Sequence, residues 1–315
     1  MWKIVCLLLG LVVATPAVAD YPETPIRAVV TFPPGGPADV MARIIQPALE
    51  KNLGGTVWID NRSGDGGNIG FTYVGRAKPD GYTILVTTSA PLTLGTAMRK
   101  LSYSLDDFEP LGAFGTDSTA IVSRPDARWK NFDEFLGYAS QNPDKLSYAS
   151  PGSVTAPYLT MEAVRADRGL VFTAIQYAGT NPVNASILGG HTDFAVGGFA
   201  AMKDLVRAKK LFVLAITGQK RDSDFPDTPT LEEKGLSLAN IGLWAGVWAP
   251  KGTPTEILAK LARAVENSAK DPAVVKRLET AGYGSMWLPR DRTRDLARQD
   301  HERALKIMTV LNQGK

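Results

Sequence analysis

Apolar residues along this chain alternate between short runs rich in β-branched residues and longer segments with helical spacing. The run IRAVVTF (26–32) is typical of a buried strand. Apolar residues in 38–53 recur at helical spacing, and Gly54-Gly55 is a typical helix stop. Two further strands and the helix between them are predicted at 56–60, 82–88 and 67–78. This β-α-β-α-β order predicts a parallel sheet with right-handed crossovers.

The second half of the chain repeats the pattern. Asn131 and Glu134 have the spacing of a capping box before a helical segment. Further strands are predicted at 146–150, 172–177, 193–197, 212–217 and 242–250, and helices within 155–167 and at 254–270, 272–281 and 290–311. We expect an α/β fold with two lobes. The first lobe is predicted at 20–122 and the second at 123–240, and 241–315 returns to pack on the first.

Residues 1–19 have the pattern of a cleaved export signal. Lys3 precedes an apolar run at 4–13, and Ala17-Val18-Ala19 matches an A-x-A cleavage site. The alternative is an N-terminal membrane anchor, but the run is shorter than the ~20 residues that span a bilayer. We therefore expect an exported, soluble mature protein. Cleavage would also remove Cys6, the one cysteine of the sequence, so no disulfide or cysteine ligand is expected.

The sequence lacks the common signatures of catalysis and of nucleotide or metal binding. It contains no G-x-S-x-G, H-E-x-x-H or P-loop motif, and GDGGNIG (64–70) lacks the dinucleotide spacing. Of the two histidines, His301 is expected on a solvated helix face and His191 in a loop. A Ser-His-Asp triad that uses His191 stays open. We predict no catalytic residue, no metal and no cofactor. The net charge of +3, without a basic block, also argues against nucleic acid as a partner.

Four loops rich in small residues follow predicted strands and precede helices or turns. They are FPPGGPAD (32–39), TTSAP (87–91), ASPGSVTAP (149–157) and YAGTNP (177–182). Ligands of α/β sheets bind at the carboxyl ends of strands, and the first N–H groups of a helix attract anions. These loops can therefore form a carboxylate site, although each could also serve only to cap a helix. Asp39 is expected to be the N-cap of the first long helix.

Several motifs, in order, resemble a known family: the substrate receptors of tripartite tricarboxylate transporters, also called TctC-like or Bug-type proteins. The matching segments include YPETPIRAVVTFPPGGPADVMAR (21–43), VWIDNRSGDGGNIG (57–70), AKPDGYTILV (77–86), SYSLDDFEPLG (102–112), LGGHTDF (188–194), FPDTPTLEEKG (225–235) and WAGVWAPKGTP (244–254). The resemblance implies a two-lobed, type II-like periplasmic binding protein. Each lobe would be a mainly parallel sheet flanked by helices, with the ligand between the lobes. It also implies a monomeric receptor, not an enzyme, that delivers a mono- or dicarboxylate, including an aromatic acid or amino acid, to a membrane permease.

Residue by residue, the resemblance implies a set of ligand-binding positions from both lobes. From the first lobe these are Phe32, Gly35, Gly36, Pro37, Ala38, Asp39, Thr88, Ser89 and Ala90. From the second they are Ser150, Gly152, Ser153, Thr155, Tyr177, Gly179, Thr180 and Asp193.

The chain departs from the family pattern in the second lobe. Val154 replaces a usual glycine, Tyr158 a usual histidine and Ala178 a common lysine. The last change removes a cation near the mouth of the expected cleft.

Two other functions stay open: a ligand sensor that docks to a sensor-kinase ectodomain, and an exported α/β enzyme that acts on a carboxylate. Trp244 and Trp248 alternate on one predicted strand, which places them either in the core or at the hinge between lobes.

Overall fold

Two sheets flanked by helices form the protein in a computed structural model that describes residues 21–313. The predicted export signal lies outside the described residues. The strands are β1 Ile26–Val30, β2 Val57–Asn61, β3 Thr83–Thr88, β4 Phe108–Asp117, β5 Thr119–Ser123, β6 Leu146–Ser150, β7 Phe172–Gln176, β8 Phe194–Gly198, β9 Phe212–Ile216, β10 Leu243–Pro250 and β11 Gly284–Leu288. The helices are α1 Pro37–Leu53, α2 Asn68–Gly75, α3 Thr96–Met98, α4 Phe132–Gln141, α5 Ala156–Arg168, α6 Thr180–Leu188, α7 Lys203–Arg207, α8 Thr255–Ala269, α9 Pro272–Thr280 and α10 Arg290–Gln313.

The predicted α/β fold, with two sheets flanked by helices, is confirmed. Each sheet is mixed rather than mainly parallel. The six-stranded sheet has the order β11-β4-β10-β3-β1-β2, and the five-stranded sheet the order β7-β6-β8-β5-β9. Parallel pairs join β1 to β2 and β3, and β6 to β7 and β8. The strands that enter or leave a lobe at the crossings, β4, β10 and β5, pair antiparallel with their neighbours.

The chain passes from one sheet to the other at Ser118, between β4 and β5. The predicted boundary between residues 122 and 123 therefore falls inside β5. The chain returns to the first sheet with β10, after which α8 and α10 lie against β4, and α8 and α9 lie against α1. The first lobe is thus built from both ends of the described chain, and the second lobe from its middle.

The long helix α1 shows how local sequence places an element beside the cleft. Its buried residues include Met41, Ile45 and Leu49, spaced one helical turn apart, so one face of the helix packs on the sheet. The helix ends at Gly54, which has a φ of +71° and donates its N–H to the carbonyl of Glu50. Glycine adopts this left-handed conformation without the steric cost of a Cβ, as the sequence predicted.

The structure confirms the cap at Asn131 and decides between the two positions expected for the tryptophans. Asn131 caps α4, because its Oδ1 accepts the N–H of Glu134 at 2.9 Å. Trp244 and Trp248 are both buried on β10 with ring centroids 5.9 Å apart, so they pack in the core of the first lobe. Strands β4, β5 and β11 were not predicted.

Within residues 21–313, no helix is both long and apolar enough to cross a bilayer. No cluster of three or more potential metal ligands occurs in the same part of the chain.

Candidate functional site

A cleft of about 310 Å³ lies between the two lobes. It is bordered by segments that follow the carboxyl ends of β1, β3, β6 and β8, and by the amino ends of α1, α5 and α6. The lobes approach closely here, because a Cβ placed on Gly35 would lie 3.9 Å from Nδ2 of Asn181 in the other lobe. The topology thus brings together loops that are far apart in sequence.

Asp39 organises the loop before α1 from behind. Its carboxylate is buried and accepts the N–H of Gly35 at 3.0 Å, Nε of Arg43 at 2.9 Å and Nδ2 of Asn61 at 2.9 Å. Burial disfavours the charged form, but these hydrogen bonds outweigh it and lower the pKa of Asp39 below its ordinary range. The prediction that Asp39 is the N-cap is wrong: Gly36 holds that position, and Asp39 lies in the first turn and turns back to Gly35.

The two glycines of this loop have different roles. Gly35 has a φ of +82°, a conformation that costs any residue with a Cβ. Gly36 has an ordinary extended conformation, with φ −80° and ψ 168°. The turn therefore requires glycine at position 35 and not, by its backbone angles, at position 36.

The amino end of α5 is closed by its own N-cap. Oγ1 of Thr155 accepts the N–H of Tyr158 at 3.4 Å and donates to the carbonyl of Gly152 at 2.7 Å. Both hydrogen bonds of this hydroxyl stabilise the loop before α5. Thr155 also lines the cleft. The N–H of Ala156, at the first helical position, has no partner available within the helix.

The helix α6 also begins at the cleft. Its N-cap, Gly179, has a φ of +104°, and Thr180 and Asn181 follow as the first helical residues. Their N–H groups precede the first intrahelical hydrogen bond and are free to bind a ligand. Together with Ala38 of α1 and Ala156 of α5, they place four first-turn N–H groups at the cleft.

The structure brings together ten of the seventeen positions expected to bind the ligand. The residues that line the cleft are Phe32, Gly35, Gly36, Pro37, Ala38, Thr88, Ala90, Thr155, Gly179 and Thr180. The others do not line it. Asp39 and Ser89 support the cleft from behind, since Ser89 donates its N–H to the carbonyl of Trp244 at 2.9 Å.

The remaining second-lobe positions fall into two groups. Ser150, Gly152 and Tyr177 are each adjacent in sequence to a lining residue, whereas Ser153 lies between two residues that do not line the cleft. The Oγ of Ser150 is buried with no hydrogen-bond partner among the described residues. Asp193 is misplaced in the prediction. Its carboxylate accepts the N–H and Oγ–H of Ser147 at the amino end of β6. The cleft lies at the carboxyl ends of the strands, so Asp193 is at the opposite end of the sheet.

Eleven further residues line the cleft without belonging to the seventeen predicted positions. These are Pro33, Pro34, Pro151, Ala156, Pro157, Ala178, Asn181, Pro182, Gly198, Ala201 and Leu243. The sequence does indicate two of them. Pro157 and Pro182 lie in the first turns of α5 and α6, and proline is common at the start of a helix. For Gly198, Ala201 and Leu243 only the three-dimensional arrangement reveals the contact.

Behind Gly198 lies a buried carboxyl group, Asp117. A Cβ on Gly198 would come within 2.5 Å of Oδ2 of Asp117, so glycine leaves the room that this carboxyl occupies. Oδ1 accepts the N–H of Ala200 at 3.1 Å, and no described residue hydrogen-bonds Oδ2. Burial raises the pKa of Asp117 to about 7, although the N–H of Ala200 and the nearby charge of Lys203 oppose this.

The C-terminal helix α10 supports the loop that follows β3. Nδ1 of His301 lies 3.0 Å from Oγ1 of Thr96 and 3.0 Å from the carbonyl of Thr93, within the turn after Ala90. Asp300 accepts Nε1–H of Trp244 at 2.7 Å. The expectation that His301 is merely solvated is therefore wrong, because the helix packs this half-buried residue onto the turn. His191 is exposed in a loop, as expected.

Val154, one of the departures from the family pattern, also acquires a structural role. It is buried, and a Cβ at Gly66 or Gly95 of the first lobe would lie 3.3 or 2.9 Å from its side chain. The valine therefore fills a contact between the lobes beside the cleft.

A family model described as "Tripartite tricarboxylate transporter family receptor" (TctC) matches residues 41–312. The chain belongs to the TctC family. This is a family of periplasmic solute-binding receptors, not of enzymes, so the TctC chain described here is a receptor and the enzymatic alternative is set aside.

Three solved structures are similar to this TctC chain over nearly its whole length. The periplasmic binding protein BugD is 30% identical, with a TM-score of 0.84, covering 93% of this chain and 99% of that one. MatC from Rhodopseudomonas palustris, with bound malate, is 28% identical, with a TM-score of 0.82, covering 91% and 99%. A second R. palustris protein, solved with adipate, is 26% identical, with a TM-score of 0.85, covering 93% and 99%. The fold is that of the two-lobed periplasmic binding proteins.

Proposed function

We propose that this TctC receptor is exported to the periplasm, captures a small carboxylate between its lobes and delivers it to the membrane permease of a tripartite transporter. The observation that carries the proposal is the convergence of three helix amino ends, from both lobes, on one cleft. The two similar structures solved with malate and adipate support carboxylate as the ligand class.

The physical basis is the positive end of each helix. The unpaired first N–H groups and the helix dipole favour an anion, and a carboxylate can accept several such hydrogen bonds without a cationic side chain. α1 belongs to the first lobe, and α5 and α6 belong to the second. An anion that accepts from both lobes therefore binds more tightly when the lobes are together, which is the differential affinity that drives closure.

The proposed contacts are the first-turn N–H groups of Ala38, Ala156, Thr180 and Asn181, together with the hydroxyl of Thr88. All five residues line the cleft. The apolar side chains between them exclude water, which strengthens each of these hydrogen bonds.

Thermal unfolding and titration calorimetry on the purified receptor test the proposal. A panel of small mono- and dicarboxylates is compared with their primary amides, which keep the shape and remove the charge. At a ligand concentration of 100 times Kd, binding to the folded state should stabilise it by about 2.7 kcal/mol. The proposal fails if no acid in the panel binds, or if the amides bind as tightly as the acids.

Delivery to a permease requires a separate test. Uptake of a radiolabelled acid that binds the receptor is measured in cells with and without the receptor. The transport part of the proposal is refuted if removing the receptor leaves uptake of that acid unchanged.

A further inference from the structure

Among residues 21–313, those that line the cleft include no ionisable side chain. Most of its residues are proline, alanine, leucine or phenylalanine, and the polar side chains, those of three threonines and Asn181, are neutral. A ligand group placed against this lining away from the helix ends meets hydrocarbon. Such a surface stabilises an apolar body and penalises a charge that finds no partner.

Prolines limit the number of hydrogen-bond donors at each helix end. Pro37, Pro157 and Pro182 occupy the first turns of α1, α5 and α6, where each replaces an N–H by a hydrocarbon ring. In α5 the N–H of Tyr158 is also taken by the N-cap Thr155.

The donors that remain match a single carboxylate. An ionised carboxylate offers about four lone-pair sites. Four of the residues that line the cleft, Ala38, Ala156, Thr180 and Asn181, have first-turn N–H groups without a partner inside their own helix. A second carboxylate would have to share these donors or rely on neutral side chains.

Two acidic side chains lie behind the lining, and neither adds a cation to it. The carboxyl of Asp117 lies directly behind Gly198, and Asp39 lies behind the loop of Gly35. Asp39 is paired with Arg43, whereas Oδ2 of Asp117 has no hydrogen-bond partner among the described residues. Ala178, which is exposed and lines the cleft, adds no cation either.

From these observations we infer that this receptor selects a monocarboxylate with a hydrocarbon body over a dicarboxylate. The inference rests on the proposed function, because it assumes that the cleft binds carboxylates. An apolar cavity of roughly 150 Å³ holds benzene. The cleft of about 310 Å³ therefore has room for a carboxylate and a hydrocarbon body.

Paired ligands test the inference by calorimetry. Hexanoate and adipate share a chain length and differ in the second carboxylate, and benzoate and terephthalate form the matching aromatic pair. In at least one pair the monoacid should bind at least about tenfold more tightly, because a second buried charge would lack partners. Hexanamide and benzamide, which lack the charge, measure the carboxylate requirement separately.

A charge placed at the mouth should shift this preference. Ala178→Lys should improve adipate or terephthalate binding by roughly three- to tenfold relative to the monoacid of the same pair. Ala178→Gln, which adds a polar side chain without a charge, is the matched control and should retain the preference ratio.

The possible outcomes distinguish failure of the selectivity from failure of carboxylate binding. Dicarboxylates that bind as tightly as their monoacids in both pairs would overturn the inference and leave the carboxylate receptor standing. Amides that bind as tightly as the acids, or no binding of any acid, would overturn the proposed function and the inference with it. An equal response to Ala178→Lys and Ala178→Gln would show that the missing cation does not set the selectivity.

Discussion

Replacing Asp117 by asparagine should flatten the pH dependence of the receptor's stability between pH 5 and pH 8. Asp117 ends β4 where the chain crosses between the lobes, and its carboxyl is buried behind the cleft. Lys203 is the nearby cation, but it is paired with Asp222 at 2.7 Å. Asparagine keeps an oxygen for the N–H of Ala200 and removes the titration.

The sign follows from where the proton binds. Burial raises the pKa of Asp117 from its ordinary 3.8 to about 7 in the folded protein. Between these values the folded state holds a proton that the unfolded state has released, so stability falls as the pH rises. The contribution is fully present below pH 3.8 and is lost as the pH passes 7.

The magnitude follows from the same two values. Each pH unit well inside this interval corresponds to about 1.36 kcal/mol, so the rise from pH 5 to about pH 7 should remove roughly 2 kcal/mol from the free energy of unfolding. The loss should be nearly absent in Asp117→Asn, whatever that variant's absolute stability.

Urea denaturation of ligand-free receptor, followed by tryptophan fluorescence at pH 5, 6, 7 and 8, measures the effect. Asp193→Asn serves as the matched control, since that carboxylate is exposed at the far edge of the sheet. The reasoning is refuted if wild type and Asp117→Asn lose the same free energy across this range.

Three further substitutions test the structure around the cleft. Gly35→Ala should cost about 1–2 kcal/mol of stability and weaken ligand binding, because alanine is strained at a φ of +82°. Gly36→Ala is the control and should cost clearly less, since Gly36 has an ordinary φ. Equal decreases in melting temperature for the two variants would contradict the requirement for glycine at position 35. Thr155→Ala should lower the free energy of urea unfolding by about 1 kcal/mol through loss of the N-cap, whereas Thr155→Ser should retain most of it; a silent Thr155→Ala would show that the cap does not contribute. Asp39→Ala should cost about 1–3 kcal/mol at pH 7, since it leaves the N–H of Gly35 unpaired. Because the pKa of Asp39 is lowered, this cost should shrink as the pH falls through that pKa, and a constant cost down to pH 3 would contradict it.

The sequence alone determined the features that depend on neighbouring residues. The helical spacing and Gly54 delimit α1, Asn131 and Glu134 start α4, and the order of strands and helices identifies the fold class. The loops after β1 and β6 were recognised for the same reason: strand ends, glycines and helix starts are local properties of the chain. The ordered motifs also identified the family.

The tertiary structure decided which side chains face the ligand. Leu243 and Gly198 reach the cleft only because β10 and β8 arrive there from distant parts of the chain. Asp39 and Asp193 illustrate the converse. Both had plausible motifs, but one is drawn behind its loop by Arg43 and Asn61, and the other lies at the amino end of its strand. A short motif can specify a turn. The direction of a side chain also depends on hydrogen-bond partners that are distant in sequence, and a local motif does not reveal them.

Burial was equally beyond the sequence. Asp117, Asp300 and His301 read as ordinary polar residues, and their surroundings emerge only when the crossing strands and α10 pack together. The mixed sheets also depend on distant segments. The strands that cross between the lobes pair with strands that lie far from them in sequence. Local sequence therefore determined most of the helices and strands and the class of receptor, but not β4, β5 and β11. The packing of distant segments determined the shape, charge and apolar lining of the cleft, because those properties are sums over residues that meet only in the folded protein.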